Sequence, residues 1–201
     1  QPGDPVVSGA AYSENGATQP RAHVYDGDKI WLSKSTSANR IQVMVDAPAN
    51  HLNAAHFCNS GSTDRAFVIV GDGGLVYSSD NNANTFTART SGVTDNLHAV
   101  WGHTDGVVIV VGYDGTVIKS TDSGDTWTEI TSGTTEHLYG VTTDGTTWVA
   151  VGANGTVGTS TDAGATWSWG TQGSNDYYCA RWDQGNSLFL IGGDEGKVHL
   201  G

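Results

Sequence analysis

Residues 110–128 read VVGYDGTVIKSTDSGDTWT, and residues 150–168 read AVGANGTVGTSTDAGATWS. The two stretches align without a gap, 40 residues apart. A third copy, residues 70–87 (VGDGGLVYSSDNNANTFT), lies about one period earlier, and a degenerate copy precedes it at residues 25–42 (YDGDKIWLSKSTSANRIQ). A truncated copy, Ile191-Gly192-Gly193-Asp194-Glu195-Gly196-Lys197-Val198-His199-Leu200, closes the chain. Self-similarity at a fixed period of this length marks a repeat architecture, in which each unit buries its apolar face against the next. Five copies of a unit of roughly 40 residues account for the whole sequence.

Each unit reads as strands. Val107 to Val111 is a continuous β-branched run, Gly112-Tyr113-Asp114-Gly115 turns the chain, and Thr116 to Ser120 returns it. Val and Ile runs bounded by Gly, Asp and Asn are hairpin signals. Their continuity, without polar alternation, implies strands buried on both faces. No helical period of useful length interrupts them. A four-stranded unit repeated at this interval predicts an all-β chain folded as a single five-bladed β-propeller. The expected blades span about 9–46, 50–90, 94–132, 134–172, and 174–201 together with 4–8. The last unit lacks an outermost strand. Pro5-Val6-Val7-Ser8-Gly9 aligns with Glu129-Ile130-Thr131-Ser132-Gly133 and is expected to supply it, closing the ring and leaving few exposed edges. Ala54, Ala99, Gly140 and Cys179 share one position on the inner strands, with Ala11 as a fifth. All are small, as strands converging on a narrow axis require.

Ser120-Thr121-Asp122-Ser123-Gly124-Asp125-Thr126-Trp127 and Ser160-Thr161-Asp162-Ala163-Gly164-Ala165-Thr166-Trp167 resemble the Asp-box, or BNR, motif S-x-D-x-G-x-T-W. The surrounding text is similar to repeats of photosystem II assembly-factor-like proteins and, more loosely, to sialidase-type propellers. The second unit keeps Asp80 but has Asn81-Asn82 and Phe86, and the first has Ser35 and Ile41. In the box an Asp accepts hydrogen bonds from the following backbone N–H groups and locks a tight turn. Gly124 and Gly164 permit positive φ, and Trp127 and Trp167 bury their rings under the turn. The resemblance implies a fold element remote from any site.

The same resemblance sets a test for catalysis. Sialidases of this repeat class use an arginine cluster, a Tyr–Glu nucleophile pair and an acid Asp. Here the arginines (Arg21, Arg40, Arg65, Arg89, Arg181) fall at different positions of their units. The four glutamates are Glu14, Glu129, Glu136 and Glu195. A glycosidase needs two convergent carboxylates, and the inner strands carry acids only at their starts, Glu136 and Asp176. No enzymatic activity is expected, and a degenerate glycoside hydrolase is the weakest alternative.

The chain has 201 residues, 28 of them Gly, with 9 Lys and Arg against 21 Asp and Glu, a net charge of −12. Seven Trp and seven Tyr argue for a packed interior rather than a disordered chain. Nine scattered cations provide no face for nucleic acid or for an anionic membrane surface. No apolar run approaches the roughly 20 residues of a membrane-spanning helix. The start, Gln1-Pro2-Gly3-Asp4, lacks the basic and apolar regions of a signal peptide. Cys58 and Cys179 match no zinc spacing, and no disulfide is expected between them. The seven histidines show no ligand spacing, and the Asp-Gly turns are turn formers. Neither a metal nor a cofactor is expected.

The best functional surface is the mouth of the propeller axis. Asn53, His98, Tyr139 and Tyr178 align at one inner-strand position, and His56, Trp101, Thr142 and Arg181 at another. From these, His98, Trp101, Tyr139, Tyr178 and Arg181 form the candidate ligand site, since aromatic rings and hydrogen-bonding groups in a concavity suit a sugar or a peptide. The expected function is a non-enzymatic binding module that recognises glycan or protein, or assembles with copies of itself. Its low Lys and high Ser, Thr, Asn and Gly content fits an extracellular, cell-surface or virion location, with periplasm or lumen as alternatives. An assembly factor for a membrane complex is the alternative that the photosystem-type resemblance implies.

Overall fold

The computed structural model describes residues 21–25, 29–33, 40–43, 51–58, 66–80, 85–194 and 198–200. Within these residues the chain forms eighteen β-strands and three single-turn 3-10 segments, with no α-helix. The strands make five antiparallel sheets, each following the chain order of its strands. The first holds β1 (Arg21–Tyr25), β2 (Lys29–Ser33) and β3 (Arg40–Val43). The second holds β4 (Leu52–Cys58), β5 (Ala66–Gly71), β6 (Val76–Ser79) and β7 (Thr87–Arg89). The third holds β8 (Leu97–Gly102), β9 (Val108–Gly112), β10 (Val117–Ser120) and β11 (Thr128–Ile130). The fourth holds β12 (Leu138–Thr143), β13 (Trp148–Gly152), β14 (Thr156–Ser160) and β15 (Ser168–Thr171). The fifth holds β16 (Tyr177–Asp183), β17 (Leu188–Gly193) and β18 (Val198–Leu200). In the sequence Tyr25 precedes Asp26-Gly27 as Gly71 precedes Asp72-Gly73, so β1 is the counterpart of the second strands. The strand expected at residues 4–8, Ala11, and the turn through 81–84 lie outside the described residues.

The sheets stack face to face in chain order. β4 packs on β8, β8 on β12, and β12 on β16, each also touching the second strand of its neighbour. The Val and Ile runs explain why. Phe67, Val68, Ile69 and Val70 of β5, and Val108 to Val111 of β9, are completely buried on both faces. Val68, Val70, Leu97, Val100, Val108 and Val110 fill the space between the second and third sheets. Ile109, Val111, Leu138, Val141, Trp148 and Ala150 fill that between the third and fourth. Each such side chain removed from water contributes about 1.5–3 kcal/mol.

Glycine ends each second strand for a steric reason. A Cβ on Gly71, Gly112 or Gly152 would overlap the backbone carbonyl of His51, Asn96 or His137, at the start of the same sheet's first strand. The 3-10 turn that follows is then tied to the next sheet. The N–H of its positive-φ residue (Gly73, Asp114 or Asn154) donates to Asn96 Oδ1 at 3.0 Å, His137 Nδ1 at 3.0 Å or Asp176 Oδ1 at 2.9 Å. One clamp thus recurs at three successive sheet boundaries.

A second recurring tie forms where the third strands end. Asp122 accepts hydrogen bonds from Ser120 Oγ (2.7 Å), from the N–H groups of Asp125 (3.1 Å) and Thr126 (2.9 Å), and from Thr126 Oγ1 (2.6 Å). Asp162 repeats the bonds from Ser160 and Thr166. Gly124 and Gly164 have φ of 99° and 78°, and each lies against a second strand of the preceding sheet. A Cβ at Gly124 would come within 2.6 Å of Val68 Cγ2, and one at Gly164 would overlap Ile109 Cδ1. Trp127 and Trp167 are half-buried. Trp127 Nε1 donates to Gly124 O at 3.1 Å, and the Trp167 ring stacks on Trp169 at 5.5 Å.

Candidate functional site

The first strands all run the same way, which gives the stack two rims. At the upper rim these strands begin beside the 3-10 turns. At the lower rim they end beside the hairpins to the second strands and the Ser-x-Asp turns, as the bond from Ser123 N to Gly106 O shows. Each first strand of sheets two to five carries an irregularity at its second residue. The register shifts between Leu52 and Ala54, Leu97 and Ala99, Leu138 and Gly140, and Tyr177 and Cys179. A bulge re-aims the extra residue's side chain. The extra residues are Asn53, His98, Tyr139 and Tyr178, all at the upper rim.

Their side chains form one continuous strip across four sheets, its rings drawn from three of them. The His98 ring lies 5.6 Å from that of Tyr139, and Tyr139 lies 5.5 Å from Tyr178. Tyr113, from the third sheet's 3-10 turn, sits 4.4 Å from His98 and 4.3 Å from His137. Asn53 ends the strip by donating to Asp72 Oδ1 and Leu97 O. Tyr178 is the large apolar side chain left most open to solvent among the described residues, at 51% exposure.

Carboxylates flank these rings. Burial pulls the His98 imidazole below its ordinary pKa, while Asp72 opposes the shift and His137 adds to it. His98 Nε2 is shielded and has no hydrogen-bond partner. Tyr139 is raised by burial, then by Asp176, Tyr113 and Glu136, and Tyr178 is raised first by its hydrogen bond to Asp194. His137 Nδ1 accepts the Asp114 N–H, so its proton sits on Nε2, and the Asp114 carboxylate at 3.4 Å is a neighbour rather than an ion-pair partner.

Three residues further along the strands, about 10 Å away, a different cluster occupies the lower rim. His56 packs on Trp101 with ring centroids 4.5 Å apart, and its Nε2 lies 3.3 Å from Gly102 O. The guanidinium of Arg181, in the fifth sheet, lies 5.9 Å from the Trp101 centroid in the third. That contact spans the fourth sheet. Burial, opposed by the hydrogen bond to the Gly102 carbonyl and aided by the charge of Arg181, brings the His56 pKa down to about 4. Thr142, the fourth sheet's counterpart, is fully buried and accepts the Trp182 N–H at 3.3 Å. The residues expected to form one site are therefore divided. His98, Tyr139 and Tyr178 share the upper rim, whereas Trp101 and Arg181 share the lower.

Tyr113 and His137 belong to the strip but were not among the expected site residues. The signal available was Tyr113's place in the turn, where the other units have Asp72 and Ala153. Of the other tryptophans, Trp148 is buried core. Trp169 donates to Ser132 O, and Trp182 packs on Phe189. Cys58, buried beside Gly102, and exposed Cys179 are both free thiols. Burial pushes the Cys58 thiol up to about 12. Among the described residues no group of three or more His, Cys, Asp or Glu is placed to hold a metal ion, and no helix is long and apolar enough to cross a membrane.

No protein-family model matches the chain, and no curated protein does. Solved structures do match it. YCF48 bound to D1 peptide superposes with a TM-score of 0.66 at 10% identity, over 92% of this chain and 60% of that one. U3-55K gives 0.75 at 11% identity, over 96% and 62%. Raptor of Chaetomium thermophilum gives 0.70 at 16%, over 96% and 19%. These are β-propeller proteins built of four-stranded sheets. At such identities the likeness is one of fold, and the chain spans less than two thirds of each.

Proposed function

We propose that the protein is a non-enzymatic interaction module that seats a segment of a partner protein on its upper rim. The observation that carries this reading is the strip of five rings from three sheets, His98, Tyr139 and Tyr178 set by a repeated bulge and Tyr113 and His137 packed beside them. Aromatic rings give contact area at low entropy cost and are enriched in recognition surfaces. A propeller of similar fold, YCF48, has been solved with a peptide bound. The assembly-factor reading is the form of this proposal that the photosystem-type repeat text favours. A glycan is the second reading, favoured by the open ring of Tyr178.

The finer architecture belongs to the same proposal. Five blades close into a ring through residues 4–8, and the turns at Asp122 and Asp162 act as Asp-boxes, mechanical and remote from the binding rim. The location is extracellular, on a cell surface or virion, a reading that rests on composition. The test is a selection of random displayed peptides against the intact chain, with an oligosaccharide array in parallel. Selected peptides should lose affinity for Tyr139→Leu and Tyr178→Leu variants and keep it for Trp101→Leu. Selected peptides that bind all variants alike, or ligands found only on the sugar array, overturn the protein-segment reading.

A further inference from the structure

Resting on the upper rim as the binding face, we infer that the segment it takes is cationic, an extended stretch of protein presenting Arg or Lys to Tyr139 and Tyr178. Among the described side chains, the charge around the strip is of one sign. Asp114 stands beside His137, Asp72 acts on His98, Glu136 and Asp176 act on Tyr139, and Asp176 and Asp194 act on Tyr178. Among the described side chains the Lys and Arg residues are Arg89, Lys119 and Arg181, and none belongs to the strip. Arg89 bonds Ser78 and Asp125 on the lower side, Lys119 adjoins the Ser120 turn, and Arg181 lies on Trp101 at the lower rim. An anionic segment reaching Tyr178 would meet two carboxylates, Asp176 and Asp194, and no countercharge from these residues.

The geometry suits a guanidinium or ammonium group. A cation within about 6 Å of an aromatic centroid is attracted by the ring quadrupole, and Arg gains further from a carboxylate it can fork onto. Tyr139 and Tyr178 stand 5.5 Å apart at 38°. Asp176 acts on both, and Asp194 is bonded to the Tyr178 hydroxyl. An arginine laid on either ring therefore finds a carboxylate beside it. The lower rim already holds such a pair within the chain, Arg181 over Trp101.

The experiment uses the intact protein and a fluorescein-labelled peptide of alternating Gly and Arg, compared with the same peptide carrying Gln or Glu in place of Arg. Fluorescence anisotropy at low salt gives each Kd. The Arg peptide should bind at least about tenfold tighter than the Gln form, with the Glu form weakest. Tyr178→Leu and Asp176→Asn should each weaken the Arg peptide about three- to tenfold. Asp144→Asn at the lower rim removes the same charge and should change it less than about twofold. If Tyr178→Leu does not fold, Asp194→Asn takes its place, with the same loss expected. Equal losses from Asp176→Asn and Asp144→Asn would show attraction to net charge alone and overturn the inference. Gln or Glu peptides binding as tightly as Arg, with loss on Tyr178→Leu, would leave the rim a binding face and refute its preference for cations. If no peptide of any charge binds and the displayed-peptide selection also returns nothing, both readings fall together.

Discussion

Replacing Gly164 with alanine should destabilise the protein by about 2–4 kcal/mol, in two separable parts. Gly164 has φ +78°, a left-handed conformation that costs an L residue about 1 kcal/mol. Its new Cβ would also overlap Ile109 Cδ1 and lie 3.1 Å from Ile109 Cγ1. Ile109 is completely buried in β9 of the preceding sheet, so it cannot yield freely, and overpacking of this kind costs about 1–3 kcal/mol. Gly133→Ala isolates the first part, because Gly133 has φ +84° with nothing within 4 Å of its added Cβ. Ile109→Val isolates the second by removing Cδ1, at its own cost of about 0.5–1.5 kcal/mol. Urea unfolding of the wild type, the singles and the Gly164→Ala/Ile109→Val double gives the coupling. The double should be about 1–2 kcal/mol more stable than the sum of its parts. Costs that add within about 0.5 kcal/mol would refute the idea that the Asp162 turn is seated on the neighbouring sheet.

Gly152→Ala should cost more than about 2 kcal/mol, since its Cβ meets the backbone carbonyl of His137 rather than a movable side chain; a thermal midpoint unchanged from wild type counts against the close approach. Asp122→Ala should cost about 1–2 kcal/mol near neutral pH. Asp122 is held below its ordinary carboxylate pKa, burial opposing and the Thr126, Ser120 and Asp125 hydrogen bonds prevailing. Its contribution is present above about pH 4 and is lost as pH falls, so variant and wild type should converge in acid denaturation curves. His56 should make stability depend on pH in a higher window. The unfolded imidazole takes a proton near pH 6.5 but the folded one only near 4. Stability is therefore full above 6.5 and falls by about 3 kcal/mol as pH drops towards 4. Urea midpoints of His56→Leu should fall less steeply than wild type across that window, the remaining slope belonging to groups such as His98, and a slope equal to wild type would contradict the assignment.

The repeat made the strand register legible before any coordinates. Aligning the inner strands of successive units places Ala54, Ala99, Gly140 and Cys179 together, and each is the residue that follows the bulge. Hydrogen-bonded turns at Asp122 and Asp162 were legible for the same reason, since short local motifs carry their own geometry. The site was legible only as two columns of equivalent residues. Alignment states which positions correspond, not which end of a strand they occupy, and three residues of extended chain separate Tyr139 from Thr142, and Tyr178 from Arg181. Tyr113 and His137 escaped because they hold no position in either column. They reach the strip from a turn and a strand start that only the folded sheet brings beside His98.

Hydrogen–deuterium exchange on the intact protein, with and without a peptide from the displayed-library selection, tests the binding rim most directly. Protection is expected at amides around 96–98, 113–114, 137–139 and 176–178, with the lower-rim segments 101–106, 121–126 and 181–183 unchanged. Protection confined to the lower rim, or to outer strands such as β11 and β15, would contradict it.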